Sequence, residues 1–188
     1  KITNRSAAAT HCRMMKNGGK AEDFTFHFDK LSYTGEPIDP ATLDFIDQYF
    51  KVPACSMYGT TEIGVVLVNY PGAEDFAVKP GSLGKAVPGQ RLEVQRPDGT
   101  PCDTGEIGEL MLWRRDKWET TKDRAKIDAD GYFYHCGRAD DVIISAGWTM
   151  SAVEIENTML KHEAVLECAV IGAPDEQRVG GPQHGRRR

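Results

Sequence analysis

Asp39-Pro40 confines the backbone of this 188-residue sequence sharply. An acceptor suited to capping a helix is followed at once by a residue whose fixed φ suits the first helical turn. Beyond it Leu43, Ile46, Tyr49 and Phe50 recur at spacings of three and four, which predicts a helix over 40–50 with one apolar stripe. Leu31 to Thr34 before the cap and Val52 to Met57 after the stripe read as strands. Strand, helix and strand in so short a span predict a parallel crossover unit. Ligands of such units bind outside the strand C-termini. Two short segments fall there, Gly35-Glu36-Pro37 and Tyr58-Gly59-Thr60-Thr61-Glu62.

From Gly81 onward the pattern changes to short strands and tight turns. Arg91 to Arg96 alternates, Pro97-Asp98-Gly99-Thr100 is a turn signal, Glu109 to Trp113 is extended, and Ile127 to His135 folds back around Asp130-Gly131. After Gly137 a further unit begins: a strand over Val142 to Ile144, a turn at Ala146-Gly147, a capping box of Ser151 and Glu154 opening a helix from about Ala152 to Lys161, and a strand over Val165 to Ile171. The expected fold class is α/β, more fully α+β: the end of a parallel βαβ layer, an antiparallel barrel-like region over 80–137, then part of a small α+β unit. The boundary falls at Asp140, dividing 1–139 from 140–188.

A net charge of −5 argues against a general affinity for nucleic acid, the one basic cluster being Arg186 to Arg188. Ile63 to Val68 is the longest apolar run and far too short for a membrane span. Five scattered cysteines without a CxxC pair suit reduced thiols, and with no apolar export signal at the N-terminus the expected setting is cytoplasmic. The N-terminal stretch reads like the middle of a protein. Asn17-Gly18-Gly19-Lys20 lacks phosphate-loop spacing and reads as a surface turn; Asp128-x-Asp130-Gly131 lacks the later ligands of a calcium loop and reads as a hairpin turn. The five histidines share no metal-ligand spacing, and His135 reads as a strand residue beside a buried thiol.

Two segments carry chemistry in their residue types. Tyr58 to Glu62 groups an aromatic ring, a glycine, two hydroxyls and a carboxylate, a set suited to a nucleotide bound with Mg²⁺. The same pentapeptide also suits a strand-ending turn with a solvated Glu. In Gly137-Arg138-Ala139-Asp140-Asp141 the Arg138 guanidinium can bind ribose or phosphate oxygens in a planar fork, or pair with a neighbouring aspartate.

The order of these segments over about Leu31 to Val179 resembles the adenylate-forming superfamily, and Ala139 to Ser145 resembles its acetyl and medium-chain acyl-CoA synthetases. The resemblance implies a ligase that joins a small carboxylic acid to CoA through an acyl-adenylate, with ATP and CoA as substrates and Mg²⁺ as metal. It implies that Gly35, Glu36 and Pro37 line the adenosine, Tyr58 stacks on adenine beside Gly59 and Thr60, Thr61 contacts the α-phosphate, and Glu62 holds Mg²⁺. Asp123, in Thr121-Lys122-Asp123, and Arg138 would fix the ribose. Lys122 stands where the family has glycine, so an altered backbone is expected at the ribose. Asp140 would be the hinge, and Ala146, Gly147, Trp148 and Arg178 would approach CoA; Thr149 stands where the family usually has Arg. Ile63 to Val68 would help line the acyl pocket. The family's phosphate-loop lysine and C-terminal lysine are not in this chain, and 180–188 departs from the pattern. The expectation is therefore a fragment inactive alone. The alternatives are a non-catalytic nucleotide-binding or interaction fragment, or an adenylation domain serving a carrier protein.

Overall fold

The computed structural model describes residues 3–72, 76–139, 143–145, 148–150, 152–162, 164–165 and 168–172. Its first layer is a five-stranded sheet of β1 (Asn4–Ala8), β2 (Lys30–Thr34), β3 (Ala54–Thr60), β4 (Gly64–Val68) and β5 (Lys85–Ala86), in that order. The first three strands are parallel, and β4 and β5 return antiparallel. The crossovers are α1 (Ala9–Asn17) and α2 (Pro40–Phe50).

α2 begins where the sequence predicts. The Asp39 carboxylate accepts from Thr42 N–H at 2.9 Å and Thr42 Oγ1 at 2.7 Å, and ion-pairs with Arg13 at 3.2 Å and Lys16 at 3.3 Å. The helix ends at Lys51, which turns left-handed at φ 57°. Its apolar stripe buries Phe45, Ile46 and Phe50 against Leu31 and Ala54, and the rings of Phe26, Phe28 and Phe45 meet Phe50 edge-on at 4.9, 5.1 and 5.4 Å.

The second layer is an antiparallel half-barrel of β6 (Arg91–Gln95), β7 (Gly108–Arg114), β8 (Lys117–Ile127) and β9 (Phe133–Arg138), each strand pairing with the next. Val66 and Leu67 of β4 lie at the centre of its core with Leu110, Leu112, Ala125 and Phe133. Of Ile63 to Val68, expected to help line an acyl pocket, Val66 and Leu67 are wholly buried in this core and Ile63 packs against the same cluster, while Val65 is half exposed. The layers are tied where Leu83 N–H donates to Phe133 O at 2.7 Å and Phe133 N–H to Gly84 O at 2.9 Å. Gly84 is required there, since a β-carbon would sit 1.9 Å from Val68 O.

Beyond β9 the described residues form a two-stranded hairpin of β10 (Ile143–Ser145) and β11 (Trp148–Met150), then α3 (Ala152–Met159), which packs on β9. The expected strand over 165–171 does not form among its described residues. The Val170 N–H donates instead to the Glu156 carboxylate at 2.9 Å, so a group a ladder would need is already bonded. Among the described residues no helix is long and apolar enough to cross a membrane.

Candidate nucleotide site

Strands from both layers converge on the carboxylate of Asp123. The buried face of β8 runs through Thr121, Asp123 and Ala125. The cross-strand partner of Asp123 on β9 is Arg138, whose Nη1 lies 3.7 Å from Oδ1. From the first layer Tyr58 donates its phenol O–H to Oδ2 at 2.5 Å. His135, also on β9, brings Nε2 to 3.6 Å from Oδ1, an electrostatic contact just outside hydrogen-bond range. Its Nδ1 accepts from Gly137 N–H at 3.3 Å, which leaves the ring proton on Nε2, facing the carboxylate.

Burial pushes the Asp123 carboxyl up, and His135, Tyr58 and Arg138 around it more than offset this, holding it below the usual aspartate value. Burial and the same carboxylate push the Tyr58 phenol up, so it stays a donor. An ionised carboxylate has about four acceptor positions, and Tyr58 fills one. About three remain, beside an aromatic ring and a half-exposed guanidinium, a set able to receive two neighbouring hydroxyls.

Lys122 reverses its expectation. It takes φ 62°, the left-handed conformation that glycine would supply, with its N–H donating to Thr120 Oγ1 at 2.9 Å and its carbonyl accepting from Ala139 N–H at 2.9 Å. The β8–β9 register shifts just beyond, between Asp123 and Ala125.

Other sequence-predicted residues stand at the end of β3 and in the segment after β2. Gly59, Thr60, Thr61 and Glu62 form the end of β3 and its turn into β4. Gly59 answers to packing, because a β-carbon there would lie 1.9 Å from Gly64 O. Thr61 and Glu62 are exposed. Thr60 Oγ1 donates to Glu62 at 2.7 Å and holds its carboxyl below the ordinary glutamate value, while Arg114 fixes the Glu62 carbonyl at 3.0 Å. Gly35, at φ 89°, Glu36 and Pro37 follow β2, beside β3 in parallel register. The Glu36 side chain is turned to α1 instead. It accepts from Thr10 N–H at 2.9 Å and Thr10 Oγ1 at 2.8 Å, capping that helix, whose own N-cap Ala8 has no acceptor.

Asp140, Ala146, Gly147 and Arg178, and Ser151 of the expected capping box, lie outside the described residues. Trp148 opens β11 opposite Ser145. His135 is the residue that motif reading missed. The signal was the hairpin itself: a turn at Asp130-Gly131 brings the His135 to Arg138 strand back alongside Asp123. Among the described residues no three His, Cys, Asp or Glu side chains are grouped to hold a metal ion.

A crossover layer fused to an antiparallel half-barrel, with a short hairpin and helix beyond, defines the architecture of adenylate-forming enzymes. The AMP-binding enzyme family matches residues 1–116, and this chain belongs to that family. It is 35% identical to an uncharacterised acyl-CoA ligase of Bacillus subtilis (strain 168), over 77% of this chain and 30% of that protein. It is 33% identical to the mitochondrial acyl-coenzyme A synthetase ACSM4 of Mus musculus, over 94% of this chain and 34% of that protein. The crystal structure of the anthranilate CoA ligase AuaEII in complex with anthranoyl-AMP superposes with a TM-score of 0.76 at 28% identity, covering 94% of this chain and 37% of that one. The chain thus spans about a third of the length of these relatives.

Proposed function

We propose that this chain is the adenosine-binding and hinge portion of an AMP-forming acyl-CoA synthetase, and that Asp123 receives the ribose hydroxyls of ATP and AMP. The observation that carries the reading is the 2.5 Å bond from Tyr58 to Asp123, 65 residues apart in sequence, with Arg138 beside them. Tyr58 lies at the end of a parallel strand, where ligands of α/β layers bind. Its ring would pack on adenine, with Gly59, Thr60 and the backbone of Gly35, Glu36 and Pro37 along the nucleoside. Arg138 would reach ribose or phosphate oxygens.

In the parent reaction a carboxylate oxygen attacks the α-phosphorus of ATP, the bond to pyrophosphate breaks, and an acyl-adenylate results. The CoA thiol then attacks the acyl carbon and AMP leaves. The chain's share of the first step is positioning and charge compensation. The Thr61 hydroxyl, exposed at the hairpin tip, would donate to the α-phosphate. Glu62 fits Mg²⁺, which takes one or two carboxylates with substrate phosphates rather than a protein cage; the ion would neutralise phosphate charge. The reading divides the chain into 1–139 and a small unit over 140–188 turning at Asp140, with Ala146, Gly147, Trp148 and Arg178 toward CoA. The compartment consistent with five free cysteines is a reducing one, the cytoplasm.

Calorimetric titration of the 188-residue chain with AMP tests the site. Binding that Asp123→Ala weakens at least tenfold supports it, and a chain that takes up no AMP rules it out. Pyrophosphate exchange with a panel of carboxylic acids separates an active chain from one that only binds nucleotide.

A further inference from the structure

We propose that His135 is a positioning residue for the Asp123 carboxylate, holding Oδ1 in the orientation that receives the ribose; the inference rests on the adenosine reading above. Tyr58 anchors Oδ2 at 2.5 Å, and a single hydrogen bond restrains the Cβ–Cγ torsion less firmly than contacts at both oxygens. Two groups face Oδ1, Arg138 Nη1 at 3.7 Å and His135 Nε2 at 3.6 Å. They differ in exposure and in side-chain length. The Arg138 side chain is 48% exposed on a long stem, whereas that of His135 is 20% exposed and has two side-chain torsions. The imidazole is also oriented from behind, because Gly137 N–H donates to Nδ1 at 3.3 Å and so aims Nε2–H at Oδ1. Gly137 has φ 97°, a conformation open to glycine. The backbone that turns Arg138 toward the rim therefore also fixes the imidazole.

The test compares AMP with 2′,3′-dideoxy-AMP, which lacks both hydroxyls, on the 188-residue chain. His135→Leu is expected to weaken AMP about tenfold and to change the dideoxy nucleotide by less than about twofold. His135→Gln, which keeps an N–H donor at similar reach, restores most of the AMP affinity. His135→Asn, polar but too short, behaves like Leu and serves if the Leu variant melts early. An equal loss for both nucleotides makes His135 merely structural and overturns the proposal. So does unchanged AMP affinity in His135→Leu and His135→Asn while Asp123→Ala loses AMP selectively. If Asp123→Ala itself shows no selectivity for the ribose hydroxyls, the adenosine reading fails, and the inference falls with it by a separately visible result.

Discussion

At Lys122 the backbone holds φ 62°, which brings the β-carbon of an L-residue against the following carbonyl and costs about 1 kcal/mol. The conformation persists because its surroundings impose it: Thr120 Oγ1 takes the Lys122 N–H, Ala139 N–H binds its carbonyl, and Thr121 Oγ1 donates to Leu110 O at 2.8 Å. Lys122→Gly is therefore expected to raise stability by about 0.5–1 kcal/mol, read as a higher urea midpoint at unchanged slope. A lower midpoint would show that the lysine side chain contributes more than its backbone strain removes. The sequence announced a conflict here and not its outcome, because a side chain's preference does not reveal how many neighbours hold the backbone against it. His135 was hidden for a related reason. Its type alone is neutral, and only the register of β8 on β9 brings it to an acid twelve residues earlier.

Among the elements, α2 was legible end to end, since its cap, its first-turn proline and its apolar stripe are all local. The α1 helix was not: its cap is Glu36, 26 residues downstream of Thr10. The eleven residues of β8 are mostly polar, and on their buried face sit Thr121 and Asp123 as well as Ala125, so the alternation that marks a strand is filled with site residues. Local capping also has a pH signature. Burial raises the Asp39 carboxyl, but Thr42, Arg13 and Lys16 pull it down to about 2 from an ordinary 3.8. The folded value is the lower one, so its stabilisation of about 2 kcal/mol is present above pH 4 and is lost as pH falls through about 2. Asp39→Asn keeps a capping oxygen without the charge, so wild type should exceed it in urea stability at pH 6, with the gap shrinking below pH 3. A pH-independent gap would assign the effect to packing. The β3–β4 hairpin gives a steric prediction. Gly59→Ala forces β4 away from β3 at Gly64 and is expected to destabilise by about 1–3 kcal/mol in urea unfolding; a silent variant would mean the strands part without strain.

For the molecule as a whole, the question is how firmly α3 is held to the half-barrel. Lys126 on β8 reaches across to Glu154 on α3 in an ion pair of 2.6 Å. Its side chains are 35% and 49% exposed, so water screens the pair and its coupling should not exceed about 1 kcal/mol. Among the described side chains of α3, Ala152 is buried, Ile155 is half-buried and Met159 is 45% exposed. By contrast, β6 to β9 close on a core of Val66, Leu67, Leu110 and Leu112, each at most 1% exposed. Stability should therefore be graded along the chain. Amide hydrogen exchange is expected to be faster in α3 than in β7 and β8, and Lys126→Met should accelerate α3 exchange about two- to fivefold while leaving β7 unchanged. Raising salt from about 0.1 to 1 M should accelerate wild-type α3 in the same direction and affect the Met variant less, since screening removes an attraction the variant lacks. If α3 and β7 exchange at one common rate in both proteins, they open as a single cooperative body. A small unit that turns at Asp140 would then have to break the half-barrel to move, and the hinge assignment would fail.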